Sequence, residues 1–169
     1  MITVEANNPH RRSGVVMLIL AWIIIFLGLY WYFDHAQRRA YNPNQAVTET
    51  KTEVILKRNR EGHYVASGTI NGTPVTFLLD TGATQVAVSK ELASRLALKL
   101  MAPVQVYTAN GVTQAHTTRL ESVRLGGIEI LNVSALVTPG MRADTVLLGM
   151  SFLKHVEFTQ RGDQLILRK

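Results

Sequence analysis

Two hydrophobic patterns divide the chain. Residues 15–33 are 19 consecutive positions without a charged side chain, rich in Ile, Leu, Val, Trp and Tyr. From residue 53 onward, short apolar runs are separated by Gly, Asn, Asp and Pro, which is typical of β-strands joined by tight turns. The pattern therefore predicts one long apolar helix followed by an all-β domain.

The apolar run has the length of a transmembrane helix. As a helix, it spans roughly 28 Å, close to the hydrocarbon thickness of a bilayer. The cluster Tyr30-Trp31-Tyr32 suits a membrane interface. A cleaved signal peptide fits less well, because no small-x-small site follows, and a buried core helix would not be apolar on every side. We expect a single uncleaved anchor that places residues 15–33 in a lipid bilayer.

The flanking charges are nearly balanced across this run. Arg11-Arg12 precede it and Arg38-Arg39 follow it. The N-terminal amine and the closeness of Arg11-Arg12 favour a cytoplasmic N-terminus. This predicts a cytoplasmic tail (1–14), an anchor in a bacterial inner membrane (15–33), a tether (34–51) and a periplasmic folded domain (52–169), with membrane-associated or periplasmic partners.

The alternation beyond residue 52 predicts short strands and two short helices. Asn71-Gly72 and Ala109-Asn110-Gly111 are hairpin turns, and Ser89 is a candidate cap for a helix over residues 90–96. A second helical turn is expected over 151–154. The predicted strands are 54–57, 63–70, 75–79, 86–88, 104–108, 112–118, 120–125, 128–137, 146–148, 156–159 and 164–167.

One carboxylate interrupts this pattern where an apolar strand ends. The run 75–79 stops at Asp80, and Thr81, Gly82 and Ala83 follow. Gly82 permits a tight turn against another backbone, and Thr81 offers a hydroxyl for a hydrogen bond. A carboxylate in such surroundings is either a structural cap or a catalytic group.

The stretch Asp80-Thr81-Gly82-Ala83, with Leu147-Leu148-Gly149 further on, resembles the aspartic proteases of the single-motif, retropepsin-like branch. The resemblance covers about residues 52–169. In layout, and in the segment Leu-Leu-Gly-Met-Ser-Phe-Leu at 147–153, the chain resembles the membrane-anchored retropepsin-like proteases of proteobacteria better than the viral enzymes. It implies an all-β, retropepsin-like closed barrel or sandwich with one or two short helices.

The resemblance also implies roles for particular residues. Asp80 would be catalytic, Thr81 would contact its twin across a twofold axis, and Gly82 would line the substrate channel. Ala83 stands where pepsin-like relatives usually carry Ser, and Gly149 would support the site. The hairpin tip Ala109-Asn110-Gly111 would be a flap over the substrate, although an ordinary surface hairpin has the same turn.

Two positions depart from the viral pattern. Thr84 stands where viral enzymes have Asp, and Met150 stands where they have Arg. In the viral enzymes those residues form an ion pair that supports the dimer. Because both partners are replaced here, we expect the dimer to be stabilised in a different way.

Aspartate-catalysed peptide hydrolysis needs two carboxylates that share one proton. The chain contains only Asp34, Asp80, Asp144 and Asp163. Asp34 adjoins the membrane segment, Asp163 lies in a predicted turn, and Asp144 is not followed by the Thr-Gly of the motif. A second Asp80 must therefore come from a second copy, which predicts a homodimer.

Other classes of function are weakly supported. The chain has no Cys, and its five His residues show no spacing typical of metal ligands, so neither a metal nor another cofactor is expected. The net charge is +6, but the Lys and Arg residues are scattered along the chain, which argues against nucleic acid as a partner. Gly149-Met150-Ser151 begins like a nucleophile elbow, but Leu153 replaces the last glycine. Arg161-Gly162-Asp163 is interpreted as a plain turn.

Two functional hypotheses remain. The first is a membrane-anchored aspartic endopeptidase that cuts extended polypeptides and favours bulky apolar residues at the cut. The second is a non-catalytic module that uses the same fold to bind a peptide or another partner.

Overall fold

The computed structural model describes residues 9–50, 52–108, 111–143 and 145–169, with side chains described from Gly14 onward. The chain divides into two compact units, and the boundary between them in the sequence falls between Arg39 and Ala40. The first unit is helical. The second contains all of the strands that the structure describes.

Helix α1 runs from Pro9 to Tyr41, beyond the predicted span 15–33. Within its segment Gly14–Tyr41, an 18-residue stretch has a mean hydropathy of 2.5, and the helix is long and apolar enough to cross a membrane, a test that a signal sequence also passes. Side chains four residues apart extend the helix past the apolar run: Asp34 Oδ2 accepts from Arg38 Nε at 2.9 Å, and the Trp31 and His35 rings stack at 5.5 Å.

The second unit is built from short strands and two short helices. Strands β1 to β5 are Thr48–Glu49, Glu53–Lys57, Val65–Ile70, Thr73–Leu79 and Val86–Ser89. Strands β6 to β11 are Pro103–Thr108, Gly111–Leu125, Ile128–Thr138, Thr145–Leu148, Glu157–Arg161 and Gln164–Arg168. The helices are α2, Lys90–Arg95, and α3, Met150–Leu153. The prediction of an all-β domain with short helices is confirmed.

Seven strands form one sheet in the order β3-β4-β9-β5-β8-β7-β6, and β3 also pairs with β7. This extra pairing, Thr69 with Arg124 and Ile70 with Val123, closes the sheet on itself. Gly68 lies beside the closure, where a Cβ would meet the Arg124 carbonyl oxygen and the Phe77 ring. Only glycine lets the backbone and the ring approach this closely.

The remaining strands form a second sheet in the order β1-β2-β11-β10. Val54 and Leu56 of β2 and Leu165 and Leu167 of β11 are buried, and they join the same core as Phe77, Leu120 and Phe152. Both sheets therefore share one hydrophobic core, which the alternation along each strand predicts.

Several local predictions are confirmed by the backbone. Asn71 and Gly72 have φ values of 49° and 78°, as a type I′ turn requires. The Ser89 side chain accepts a hydrogen bond from Leu92 N at 3.0 Å and caps α2.

The strands predicted over 112–118 and 120–125 are one continuous strand, β7. Arg119 lies between the two predicted strands, but it stays in register opposite Ser134. Strand β6 pairs with the first part of β7, and β8 pairs with the second part. Because backbone pairing continues along the whole of β7, exposed polar side chains such as Arg119 do not end the strand.

Residues 42–49 belong to the predicted tether (34–51), yet two of their side chains are buried within the folded unit. Asn42 and Asn44 are 7% and 4% exposed. Asn44 Nδ2 donates to the carbonyls of Lys57 (2.8 Å) and Val65 (2.7 Å), and Asn44 Oδ1 accepts from Lys57 N (2.7 Å). Asn44 thus joins β2 to β3 as an inserted strand would. Because Asn44 is polar, a pattern of hydrophobic residues does not reveal this contact. The folded unit begins at Ala40 and not at residue 52.

Candidate active site

Asp80 lies where two parallel strands end together. Strands β4 and β9 run parallel, with Leu79 opposite Leu148, and Asp80 N donates to Leu148 O at 3.2 Å. The next residue after β9 is Gly149. Asp80 and Gly149 are far apart in the sequence but are therefore neighbours at the C-terminal ends of these two strands.

The Asp80 carboxylate is half-buried and oriented by its own loop. Asp80 Oδ1 accepts from Gly82 N at 2.8 Å, and the Asp80 carbonyl accepts from Ala83 N at 3.3 Å. A Cβ at Gly82 would lie 3.2 Å from Oδ1. Among the described residues Oδ2 has no hydrogen-bond partner, and Thr81 and Gly82 are exposed. One carboxylate oxygen is held in place and the other is available.

The loop after Asp80 is held by the residues that follow β9. Met150 N donates to Ala83 O at 2.8 Å, and Ser151 N donates to Thr84 O at 3.0 Å. Thr84 and Met150 are the two positions that lack the viral ion pair, and here backbone hydrogen bonds connect their two segments. They also satisfy donors at the start of α3 that would otherwise lack an intrahelical partner.

Gly149 is required by this close contact. A Cβ at this position would meet the carbonyl oxygens of Gln85 and Ala83 and would lie 2.8 Å from the Gln85 carbonyl carbon. All of these atoms belong to the backbone, so they cannot move aside as a flexible side chain can. The predicted supporting role of Gly149 has a steric basis in this packing.

Ser151 is a positioning residue that sequence reasoning missed. Its Oγ accepts from Val86 N at 2.9 Å and donates to Ser134 O at 2.7 Å, which connects β5 and β8 to α3. In the sequence, Ser151 stands out only as part of Gly149-Met150-Ser151. This stretch resembles the start of a nucleophile motif, but that motif requires glycine at position 153, where the chain has Leu. Because the hydroxyl proton is donated to a carbonyl, the side chain holds the loop.

Strands β6 and β7 form the hairpin expected to be a flap. Pairing between β7 and β8 starts at His116, so residues 111–115 of β7 pair with β6 alone and the hairpin extends beyond the rest of the sheet. Tyr107 and Val112 face each other near the tip and are 86% and 58% exposed. Gly111 has a φ of 106°. Ala109 and Asn110 lie outside the described residues.

The other aspartates lie in different surroundings. Asp34 belongs to α1, Asp163 lies in the turn between β10 and β11, and Asp144 is outside the described residues. In the part of the chain that the structure describes, no group of three or more His, Asp or Glu side chains could hold a metal ion.

The model of the family "gag-polyprotein putative aspartyl protease" matches residues 66–155, a segment that contains the Asp80 loop, Gly149 and α3. The chain belongs to this aspartic protease family. The family match leaves α1 and all four strands of the β1-β2-β11-β10 sheet outside it.

Three proteins are similar to this chain over most of its length. A retropepsin-like aspartic protease from Rickettsia conorii has a solved structure with a TM-score of 0.58 and 35% identity, covering 68% of this chain and 89% of that one. An uncharacterised Sinorhizobium protein encoded in the cobV 5′ region is 33% identical, covering 96% of this chain and 77% of that protein. An uncharacterised protein of Rickettsia prowazekii is 33% identical, covering 86% of this chain and 68% of that protein. The retropepsin-like fold is therefore confirmed.

Proposed function

We propose that this aspartic protease family member is a membrane-anchored endopeptidase that works as a homodimer, with one Asp80 from each subunit. The observation that carries the proposal is the Asp80 carboxylate, which is half-buried at the shared end of β4 and β9 with Oδ1 held by Gly82 N. The free Oδ2 can share a proton with a second carboxylate or hold a water molecule.

The two carboxylates would act as a general base and a general acid. The ionised Asp80 takes a proton from the bound water, which attacks the scissile carbonyl carbon, while the protonated Asp80 hydrogen-bonds the carbonyl oxygen. The tetrahedral intermediate then breaks at the C–N bond as the amide nitrogen receives a proton. Each subunit contributes one carboxylate because the sequence offers no second Asp-Thr-Gly.

The surrounding residues would bind an extended peptide substrate. Thr81 and Gly82 are exposed next to the carboxylate, where Thr81 would contact its twin and Gly82 would line the channel with Ala83. The hairpin with Ala109, Asn110 and Gly111 at its tip would act as the flap, and Gly149 would support the loop. The exposed Tyr107 and Val112 on this hairpin suit bulky apolar substrate side chains.

The N-terminal helix would anchor the enzyme in a bacterial inner membrane with its folded unit in the periplasm. This part of the proposal rests on the apolar segment Gly14–Tyr41 and on the charges that flank it. Protease added to intact spheroplasts should digest the folded unit of a full-length chain that still carries α1. Protection from digestion until the membrane is broken would place the folded unit in the cytoplasm.

The enzymatic proposal is tested with the full chain in detergent and a mixed peptide library. Wild type should cleave peptides, while Asp80→Asn should lower turnover by about a thousandfold or more, since the amide cannot act as base. Asp163→Asn is the matched control in an exposed turn and should cleave like wild type. Unchanged cleavage by a folded Asp80→Asn variant would rule out the mechanism. Peptide binding without cleavage by wild type would favour the non-catalytic module.

A further inference from the structure

The last residue of helix α1, Tyr41, is fixed by contacts within the second unit, to which it belongs. Its carbonyl accepts a hydrogen bond from Asn59 Nδ2 at 3.1 Å, and its hydroxyl lies 3.5 Å from Thr145 Oγ1. Arg142 Cζ lies 5.8 Å from the centroid of the Tyr41 ring. The final carbonyls of a helix lack an intrahelical partner, so the Asn59 contact also satisfies one of them. Two separate loops therefore hold Tyr41.

Three arginines belong to these two loops. Arg58 and Arg60 flank Asn59 between β2 and β3, and Arg142 lies between β8 and β9. All three side chains are exposed. In the part of the chain that the structure describes, none of the three has an ion-pair partner. We call Arg58, Arg60 and Arg142 the arginine cluster.

The segments around the arginine cluster carry an excess of positive charge. Arg58 N donates to Asp163 O at 2.8 Å, which places the turn 161–163 beside the first loop. Residues 57–63, 139–144 and 161–163 together contain five Lys or Arg residues and three acidic ones. Because like charges repel each other, an anion bound among these arginines would be stabilising.

The length of α1 places Tyr41 close to the proposed membrane. The apolar run ends at Phe33, and the helix continues without a break for eight more residues to Tyr41, about 12 Å along its axis. Each headgroup layer of a bilayer is roughly 5–8 Å thick. Tyr41 would then lie at most about 7 Å outside the headgroups, which is within the Debye length of about 8 Å at physiological ionic strength.

We propose that the arginine cluster binds the phosphate groups of anionic phospholipid headgroups. The proposal rests on the membrane anchoring in the proposed function, because α1 would bring the cluster to the bilayer. A guanidinium group presents its N–H donors in a planar fork that matches two phosphate oxygens. Arg142 lies over the Tyr41 ring, which supports one face of its guanidinium and leaves the N–H groups at the rim for a ligand.

The dipole of α1 does not explain the cluster. Cations in the last turn of a helix offset the partial negative charge at its C-terminal end. Helix α1 already has Arg38 and Arg39 in its last turn. The three arginines of the cluster come from loops outside the helix, so their positive charge is available for a ligand.

A lipid headgroup fits the cluster better than a soluble anion does. An anchored chain meets the headgroups of its own bilayer at a high effective concentration, whereas a soluble phosphate must be bound from dilute solution. Each Lys or Arg near an anionic membrane surface strengthens binding about fivefold. The contact would keep the folded unit at the membrane surface.

The test uses the full chain in micelles of a neutral detergent, with Asp80→Asn so that no cleavage occurs. Since the chain has no Cys, His63→Cys in the exposed part of the first loop gives one attachment site for an environment-sensitive fluorophore. Titration with anionic phosphatidylglycerol should give a dissociation constant at least about tenfold lower than titration with zwitterionic phosphatidylcholine. Replacing the whole cluster with Gln should raise the constant for phosphatidylglycerol about tenfold or more.

Matched variants separate charge from packing. Lys at the three cluster positions keeps the charge and should bind within about threefold of the original chain. The double variant Arg58→Gln/Arg60→Gln keeps the Arg142 contact with Tyr41, so it should fold normally and still weaken binding about fivefold or more. The matched control replaces three exposed cations on other elements with Gln, which removes the same charge and should leave binding unchanged. Its positions are Lys99, Arg119 and Lys154.

Three results would overturn the proposal. The first is equal affinity for the two lipids. The second is an equal loss of affinity in the cluster and control variants, which would show only a response to total charge. The third is an equal response to inorganic phosphate at the same concentration, which would assign the cluster to a soluble anion.

These results are independent of the catalytic test. Selective lipid binding by a chain whose Asp80 form cleaves no peptide would leave this proposal standing and remove the catalytic one. Cleavage by a wild-type chain without lipid selectivity would remove only the lipid proposal. A folded unit found in the cytoplasm by the spheroplast experiment would leave the lipid proposal standing, because either leaflet presents headgroups to the end of α1.

Discussion

At the scale of single residues, the site depends on backbone contacts more than on side-chain chemistry. Asp80 supplies the carboxylate, but Gly82 N orients it, and the carbonyls of Ala83 and Thr84 bind the loop to the segment after β9. Gly149 makes this possible because it has no side chain where the two segments meet. A glycine far from Asp80 in the sequence is therefore part of the same site.

Gly149→Ala should destabilise the folded unit by about 2–4 kcal/mol and strongly reduce cleavage, since a Cβ would overlap rigid backbone atoms. Calorimetric melting of the full chain in detergent and peptide turnover would measure both effects. Gly140→Ala is the matched control: it has a φ of 77° but open space around it, so it should cost only about 1 kcal/mol. Equal effects of the two changes would contradict the steric argument.

At the scale of elements, short polar segments complete the sheets. The residues after α1 carry few apolar side chains, yet Asn44 makes three hydrogen bonds to the backbones of β2 and β3. Asn42 supports it by accepting from Asn44 N at 3.0 Å and donating to Ser67 Oγ at 3.0 Å. This segment belongs to the folded unit, so the unit does not begin at the first alternating strand.

Asn44→Ala should lower the free energy of unfolding by about 2–4 kcal/mol, because it leaves the Lys57 N–H and the Val65 carbonyl without their partner in a buried place. Urea unfolding of the full chain, followed by hydrogen exchange in β2 and β3, would measure this loss. Gln45→Ala is exposed and should change stability by less than about 0.5 kcal/mol. A flexible tether would instead make both substitutions neutral.

At the scale of the whole molecule, the central property is that one chain carries one Asp-Thr-Gly. In the proposed homodimer one Asp80 comes from each subunit, so every active unit would depend on two chains. In the same proposal, α1 would hold both copies in one membrane plane.

Mixing wild type with an equal amount of Asp80→Asn and allowing subunits to exchange should leave about a quarter of the wild-type turnover per total chain, since random pairing gives that share of dimers with two intact carboxylates. Peptide turnover after exchange in detergent would measure it. A chain active as a monomer would retain about half.

Much of the fold and of the site was predictable from local signals. The Asn71-Gly72 turn, the Ser89 cap, the apolar length of α1 and the carboxylate at the end of β4 each depend on neighbours a few residues away. The alternation of apolar and polar residues likewise predicted most of the strands, because a strand with one buried face has an apolar residue at every second position. The retropepsin-like fold followed from two short motifs and was confirmed.

Long-range contacts decided the rest. The sequence by itself determined most of the helices and strands, and that each chain has a single Asp-Thr-Gly carboxylate. Only the tertiary structure decided that Ser151 ties β5 to β8, that Asn44 joins β2 to β3, and that β7 continues through Arg119. These contacts join backbone groups many residues apart, and a polar side chain that satisfies them carries no periodic signal along the chain.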